Sequence, residues 1–64
     1  MATFKTRRKR LGMTRQQLAT EAEIATSTLW RIEEGRVAPS VFVARAIEAA
    51  LAIKEAESKT EAAS

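Results

Sequence analysis

Three residues punctuate this chain and almost nothing else does: its two glycines, Gly12 and Gly35, and its single proline, Pro39. Glycine just past a periodic stretch is the usual left-handed stop of a helix, and proline is tolerated at the start of one. The only cluster of β-branched and aromatic residues, Val41-Phe42-Val43, lies inside an Ala-rich segment, so strand signals are scarce. The pattern predicts an all-α chain. At 64 residues it has room for one domain with a modest core, because a chain of that size buries only about 60% of the surface its unfolded form exposes. Cysteine is absent, so no disulfide or thiolate metal site can staple the fold, and packed helices must suffice.

The helices can be placed from their starts and stops. Phe4, Arg8 and Leu11 recur at helical spacing, which predicts a first helix from about Thr3 to Leu11 with Gly12 as its stop. Thr14, followed three positions on by Gln17, is a capping-box pattern that opens a second helix running to about Ala22 and burying Leu18, Ala19 and Ala22. Ile24 then stands between Glu23 and Ala25 as a single apolar plug in a tight turn. A third helix from about Thr26 puts Leu29 and Ile32 on one face and Thr26, Ser27, Trp30 and Arg31 on the other, and closes at Gly35. Arg36 to Ala38 read as a loop, and Pro39 with Ser40 starts a fourth helix that turns Ala44, Ile47 and Leu51 inward. Beyond Leu51 there is no Gly or Pro, so Ala52 to Glu57 prolong that helix and Ser58 to Ser64 are expected to fray as a polar tail. The organisation is one domain over residues 1–53, with a helical extension and tail over 54–64.

Composition excludes several function classes. Histidine is absent as well as cysteine, which removes the commonest general base, the commonest metal ligand and the best thiol nucleophile. Glu33 and Glu34 point different ways on a helix and do not form a carboxylate dyad. Neither an enzyme, a metal site nor a cofactor is expected. The longest apolar run, Ala49 to Ile53, is far below the roughly 20 residues of a membrane span, and the N-terminus carries no signal-like apolar segment. The expectation is a soluble, cytoplasmic protein with no membrane partner. The net charge of +3 is uneven: residues 1–36 carry +4 and residues 37–64 carry −1. A basic front suits a polyanion, although it suits an ordinary soluble protein equally.

Two short helices about three residues apart, the first capped and the second closed by Gly, form a steeply crossing pair. The third helix has too few apolar residues to be buried all round, so its Thr/Ser/Trp/Arg face meets water or a ligand. Small hydroxyls at its start permit close approach to a duplex, and Arg31 one turn later can reach a guanine edge with two hydrogen bonds.

The run Leu11-Gly12-Met13-Thr14-Arg15-Gln16-Gln17-Leu18-Ala19, then Ile24, then Ser27-Thr28-Leu29-Trp30-Arg31-Ile32-Glu33-Glu34-Gly35, then Pro39-Ser40, resembles the helix-turn-helix repressors of the lambdoid phage repressor and Cro type, the XRE-like family. The likeness covers about residues 4 to 53. It implies a compact four- to five-helix bundle and a transcriptional regulator, of repressor type, that binds double-stranded DNA as a homodimer and works with DNA inside the cell. By position it implies base readers at Thr26, Ser27 and Arg31, with Thr28 and Trp30 beside them. It implies phosphate contacts at Thr14, Arg15, Gln16 and Arg36, and a structural salt bridge between Arg8 and Glu33. A chain this brief matches a regulator without a ligand-sensing domain, as phages, plasmids and compact operons carry, so no small-molecule ligand is expected.

Three positions depart from the family pattern. Glu23 stands where the turn often has Gly, and a left-handed conformation there costs roughly 1 kcal/mol. Ala25 replaces the usual Ser or Thr cap of the third helix, which is expected to shift the cap to Thr26. Ala52 replaces the Gly that precedes a fifth helix, so a longer fourth helix is the simpler reading.

Plainer readings stand beside these. The run Arg7-Arg8-Lys9-Arg10 is a solvated face or supplies phosphate contacts through Arg7 and Arg10. Trp30 packs on the edge of the second helix or touches thymine methyls. Val41, Phe42 and Val43 cannot all face one core, and Val41, Phe42 and Ile53 are the expected dimer surface. The alternative function is an antitoxin-like or adaptor module that uses exposed Trp30 and Phe42 for protein contacts.

Overall fold

Local devices in the sequence start and stop the helices. In the computed structural model, which describes residues 3–63, four helices form: α1 (Phe4–Arg10), α2 (Arg15–Glu21), α3 (Thr26–Glu33) and α4 (Val41–Ala63). Thr3 Oγ1 accepts from the Thr6 amide at 3.1 Å and Ser40 Oγ accepts from the Val43 amide at 3.2 Å. At α2 both halves of the capping box close: the Gln17 amide donates to Thr14 Oγ1 at 3.1 Å, and the Thr14 amide donates to Gln17 Oε1 at 2.9 Å. Orphan amides that would otherwise compete for water are thereby satisfied.

The ends of α1, α2 and α3 share one geometry. The Gly12 amide donates to Lys9 O and the Met13 amide to Arg8 O; Glu23 and Ile24 repeat the pair onto Thr20 O and Ala19 O; Gly35 and Arg36 repeat it onto Ile32 O and Arg31 O. This is the Schellman closure, which requires a left-handed residue just past the cap. Gly12 (φ +68), Glu23 (φ +59) and Gly35 (φ +73) occupy it. Glu23 is therefore left-handed, at a position where an L side chain is strained.

The start of α3 corrects one expectation. Its N-cap is Ala25, in the extended conformation a cap needs but with no side-chain acceptor, and Thr26 is the first helical residue. The cap does not shift to Thr26, because the backbone leaving the Schellman closure at Ile24 already sets Ala25 extended. The Thr26 hydroxyl is free of capping duty.

Leu18, Leu29, Ile47 and Leu51 are fully buried and bring α2, α3 and α4 together, with Met13, Ala19, Ala22 and Ala50 around them. Helix α2 packs on α3 and α4, and α1 packs on α4. Phe4, Leu11, Ile24, Ile32 and Val43 seal the rim. Val43, Ile47 and Leu51 recur every fourth residue on the inward face of α4, which leaves Val41 and Phe42 outside, Phe42 at 82% exposure.

Helix α4 has 23 residues and rises about 34 Å, so it accounts for most of the 39 Å long dimension of the molecule. It crosses residue 53 without a break, and no fifth helix follows among the described residues. The segment from Ser58 on, expected to fray, is helical through Ala63; Ala, Glu and Lys favour helix and nothing there interrupts it. Ser64, the last residue of that expected tail, lies outside the described residues.

Candidate nucleic-acid interface

A buried carboxylate organises the charges around α3. Glu33 has no exposed side-chain surface and accepts from Arg8 Nε at 2.8 Å, Arg8 Nη2 at 3.1 Å and Arg15 Nε at 2.9 Å. Arg8, itself buried, also donates through Nη1 to Met13 O at 2.8 Å. Burial alone pushes the Glu33 carboxyl up, but the hydrogen bonds and charges of Arg8 and Arg15 outweigh it and hold the group below its ordinary value. The pair thus ties α1 and the start of α2 to the end of α3. Glu34 extends the network outward, to Lys5 at 3.3 Å and Arg15 Nη2 at 3.7 Å.

A second ionic clamp joins α1 to α4. Arg7 donates through Nε and Nη2 to the two carboxylate oxygens of Glu55 at 2.9 and 2.6 Å, and through Nη1 to Glu48 at 2.6 Å. These bonds raise the Arg7 pKa and lower that of Glu55. Glu48 and Glu55 are seven residues apart, two turns of one helix, which is why one guanidinium reaches both.

The outward face of α3 carries Thr26, Ser27 and Arg31, all exposed, with Thr28 half-buried at its flank. Ser27 and Arg31 are one turn apart and project together. Trp30 is 36% exposed, and the Arg36 guanidinium lies over its ring, Cζ 4.9 Å from the centroid. Among the described residues neither Arg31 nor Arg36 pairs with a carboxylate. Lys5, Arg7, Arg8 and Arg15 thus neutralise acids of the domain, while Arg31 and Arg36, like Lys9, Arg10 and Arg45, form no ion pair among the described residues, and these two stand at and just past the outward face of α3.

A family model described as helix-turn-helix matches residues 4–58. The chain belongs to the XRE-type helix-turn-helix family. That family is one of DNA-binding regulators and not of enzymes, so the chain is a DNA-binding regulator of the XRE type. No curated protein and no solved structure matches the chain. No helix among the described residues is long and apolar enough to cross a membrane.

On this helix-turn-helix the residues singled out from sequence fall into three groups. Thr26, Ser27, Arg31 and, at the flank, Thr28 share one surface. Thr14, Gln16 and Arg10 are exposed, although the Thr14 hydroxyl already serves as a cap acceptor. Two further residues have partners of their own. Arg7 turns onto α4, where Glu48 and Glu55 take its guanidinium donors. Trp30 carries Arg36 on one face of its ring and is otherwise partly exposed. Arg15 is intermediate, bonded to Glu33 with a third of its side chain exposed. Sequence reasoning missed Glu48 and Glu55; their heptad spacing on the helix facing α1 was the available signal.

Proposed function

We propose that this regulator is a repressor that reads the major groove of a pseudo-palindromic site with α3 and binds as a homodimer in the cytoplasm. One observation carries the reading. Ser27 and Arg31 project side by side from a helix whose inner face is locked by Leu29 and Glu33, and among the described residues no acid pairs with Arg31. A rigid helix with an unpaired guanidinium on its outer face suits bidentate contact with guanine. Thr26 joins the base-reading set, with Thr28 at its edge. Arg15, Arg36, Arg10, Gln16 and Thr14 form the phosphate-contacting set.

Energetics and exposure support the dimer. One such module buries about 600–1,000 Å² on DNA, which is weak alone, whereas two half-sites about 34 Å apart reinforce each other. Val41, Phe42 and Ile53 are large apolar side chains exposed on α4, a surface for the second copy. Sedimentation with and without a selected duplex tests this: a two-to-one complex on a symmetric site supports it, and a monomer on an isolated half-site contradicts it. The exposed Phe42 equally favours the rival adaptor reading. Salt separates the two, because binding through several phosphates falls steeply with salt and apolar docking does not.

A further inference from the structure

We propose that Trp30 is a positioning residue: its ring holds the Arg36 guanidinium at the outer end of α3 so that Arg36 meets a backbone phosphate of the bound duplex. This rests on the DNA-binding reading above and assigns Trp30 a part in it other than base contact.

The backbone brings the two side chains together. In a Schellman closure the second residue past the cap contacts the side chain three or four positions inside the helix end, and that contact is usually apolar. At the end of α1 the outer residue is Met13, which is buried, and at the end of α2 it is Ile24, which packs on the core. At the end of α3 the same position is Arg36, and the residue beneath it is Trp30. A cation has replaced the apolar partner only where the helix beneath offers an aromatic face. Gly35, at φ +73, turns the chain so that the stack forms.

Stacking leaves the hydrogen-bonding capacity of Arg36 intact. A guanidinium on a ring uses its flat face, while its five N–H donors lie in the plane and point outward. The neighbouring acids do not compete: Glu33 is taken by Arg8 and Arg15, and Glu34 by Lys5 and Arg15. Arg36 is therefore without a carboxylate partner among the described residues and restrained on the ring before any ligand arrives, which reduces the ordering cost of a phosphate contact. The covered ring face is correspondingly closed to a thymine methyl.

Two labelled duplexes, one of random sequence and one selected by the wild-type protein, distinguish the roles when titrated at several salt concentrations. Arg36→Ala is expected to weaken binding to both and to reduce the salt slope by about one. Trp30→Leu is expected to weaken both by about two- to fivefold, to add nothing in the Arg36→Ala background, and to be partly restored in Trp30→Phe. Trp30→Phe carries the same comparison if Trp30→Leu does not fold, as judged by helicity. A Trp30 effect confined to the selected duplex, or one undiminished in the Arg36→Ala background, overturns the positioning role while leaving DNA binding in place. Wild-type protein that shows no salt-dependent duplex binding overturns the DNA-binding reading itself, and this inference with it.

Discussion

Replacing Glu23 with glycine should raise the melting temperature. Glu23 occupies the left-handed position of the Schellman closure at φ +59, with its amide bonded to Thr20 O at 3.1 Å and the Ile24 amide to Ala19 O at 2.9 Å. Its side chain is exposed and makes no ion pair among the described residues, so its removal sacrifices none. The left-handed conformation costs a non-glycine residue about 1–2 kcal/mol. Glycine returns about 0.4–1 kcal/mol of that by loosening the unfolded chain. The net gain is roughly 0.5–1 kcal/mol, which for a domain of this size is about 3–6 °C. Removing the carboxylate from the negative end of the α2 dipole adds a few tenths of a kcal/mol, roughly; Glu23→Gln isolates that part because it keeps the backbone strain. Gly12→Ala and Gly35→Ala are the mirror experiment. A Cβ at either position meets nothing within 4 Å, so each should lower the melting temperature through conformation alone. Thermal melts by circular dichroism decide. A Glu23→Gly melting temperature no higher than that of Glu23→Gln would refute the strain argument.

Other outcomes follow from the same geometry. Ala25→Ser supplies the acceptor that the α3 cap lacks and should stabilise by about 1 kcal/mol, read as a higher melting temperature; no change would mean that the new hydroxyl fails to reach an α3 amide. Glu33→Gln breaks a buried ion pair and should cost about 3–5 kcal/mol, measured by urea unfolding. Because the Glu33 pKa is lower folded than unfolded, its stabilisation is fully present above the ordinary value of 4.5 and is lost as pH falls through the folded value. Wild-type protein should therefore lose stability below pH 4.5 more steeply than Glu33→Gln, and parallel pH profiles would contradict the linkage. Arg7→Ala should free the distal half of α4, seen as faster amide exchange near Glu55 with protection at Leu29 unchanged. Phe42→Ser should alter monomer stability by no more than about 0.5 kcal/mol while shifting sedimentation toward monomer; an unchanged association state would remove Phe42 from the proposed interface.

Features that depend on neighbours in sequence were legible before the structure. Thr14 with Gln17, the stops at Gly12 and Gly35, and the apolar plug at Ile24 all act within one turn, and the structure forms each of them. The strain at Glu23 was legible only because the resemblance supplied a turn with a known demand for glycine. The Arg8–Glu33 pair came the same way, since no periodicity links residues 25 positions apart. Arg7 shows where local reading stops. Its partners lie 41 and 48 positions away, and the choice between phosphate and Glu55 depends on how α4 packs against α1. The Trp30 ring was similarly ambiguous, because its partner is placed by the closure at Gly35 and not by helical spacing.

The claim that α3 reads a sequence is tested most directly by selecting bound fragments from a random duplex pool, first with wild-type protein and then with Arg31→Ala. The wild type is expected to enrich a two-fold symmetric motif, and the variant to lose preference at one symmetry-related base pair, about 1–3 kcal/mol of discrimination. Failure of the wild type to enrich any motif, or an Arg31→Ala motif identical to the wild-type one, would contradict it.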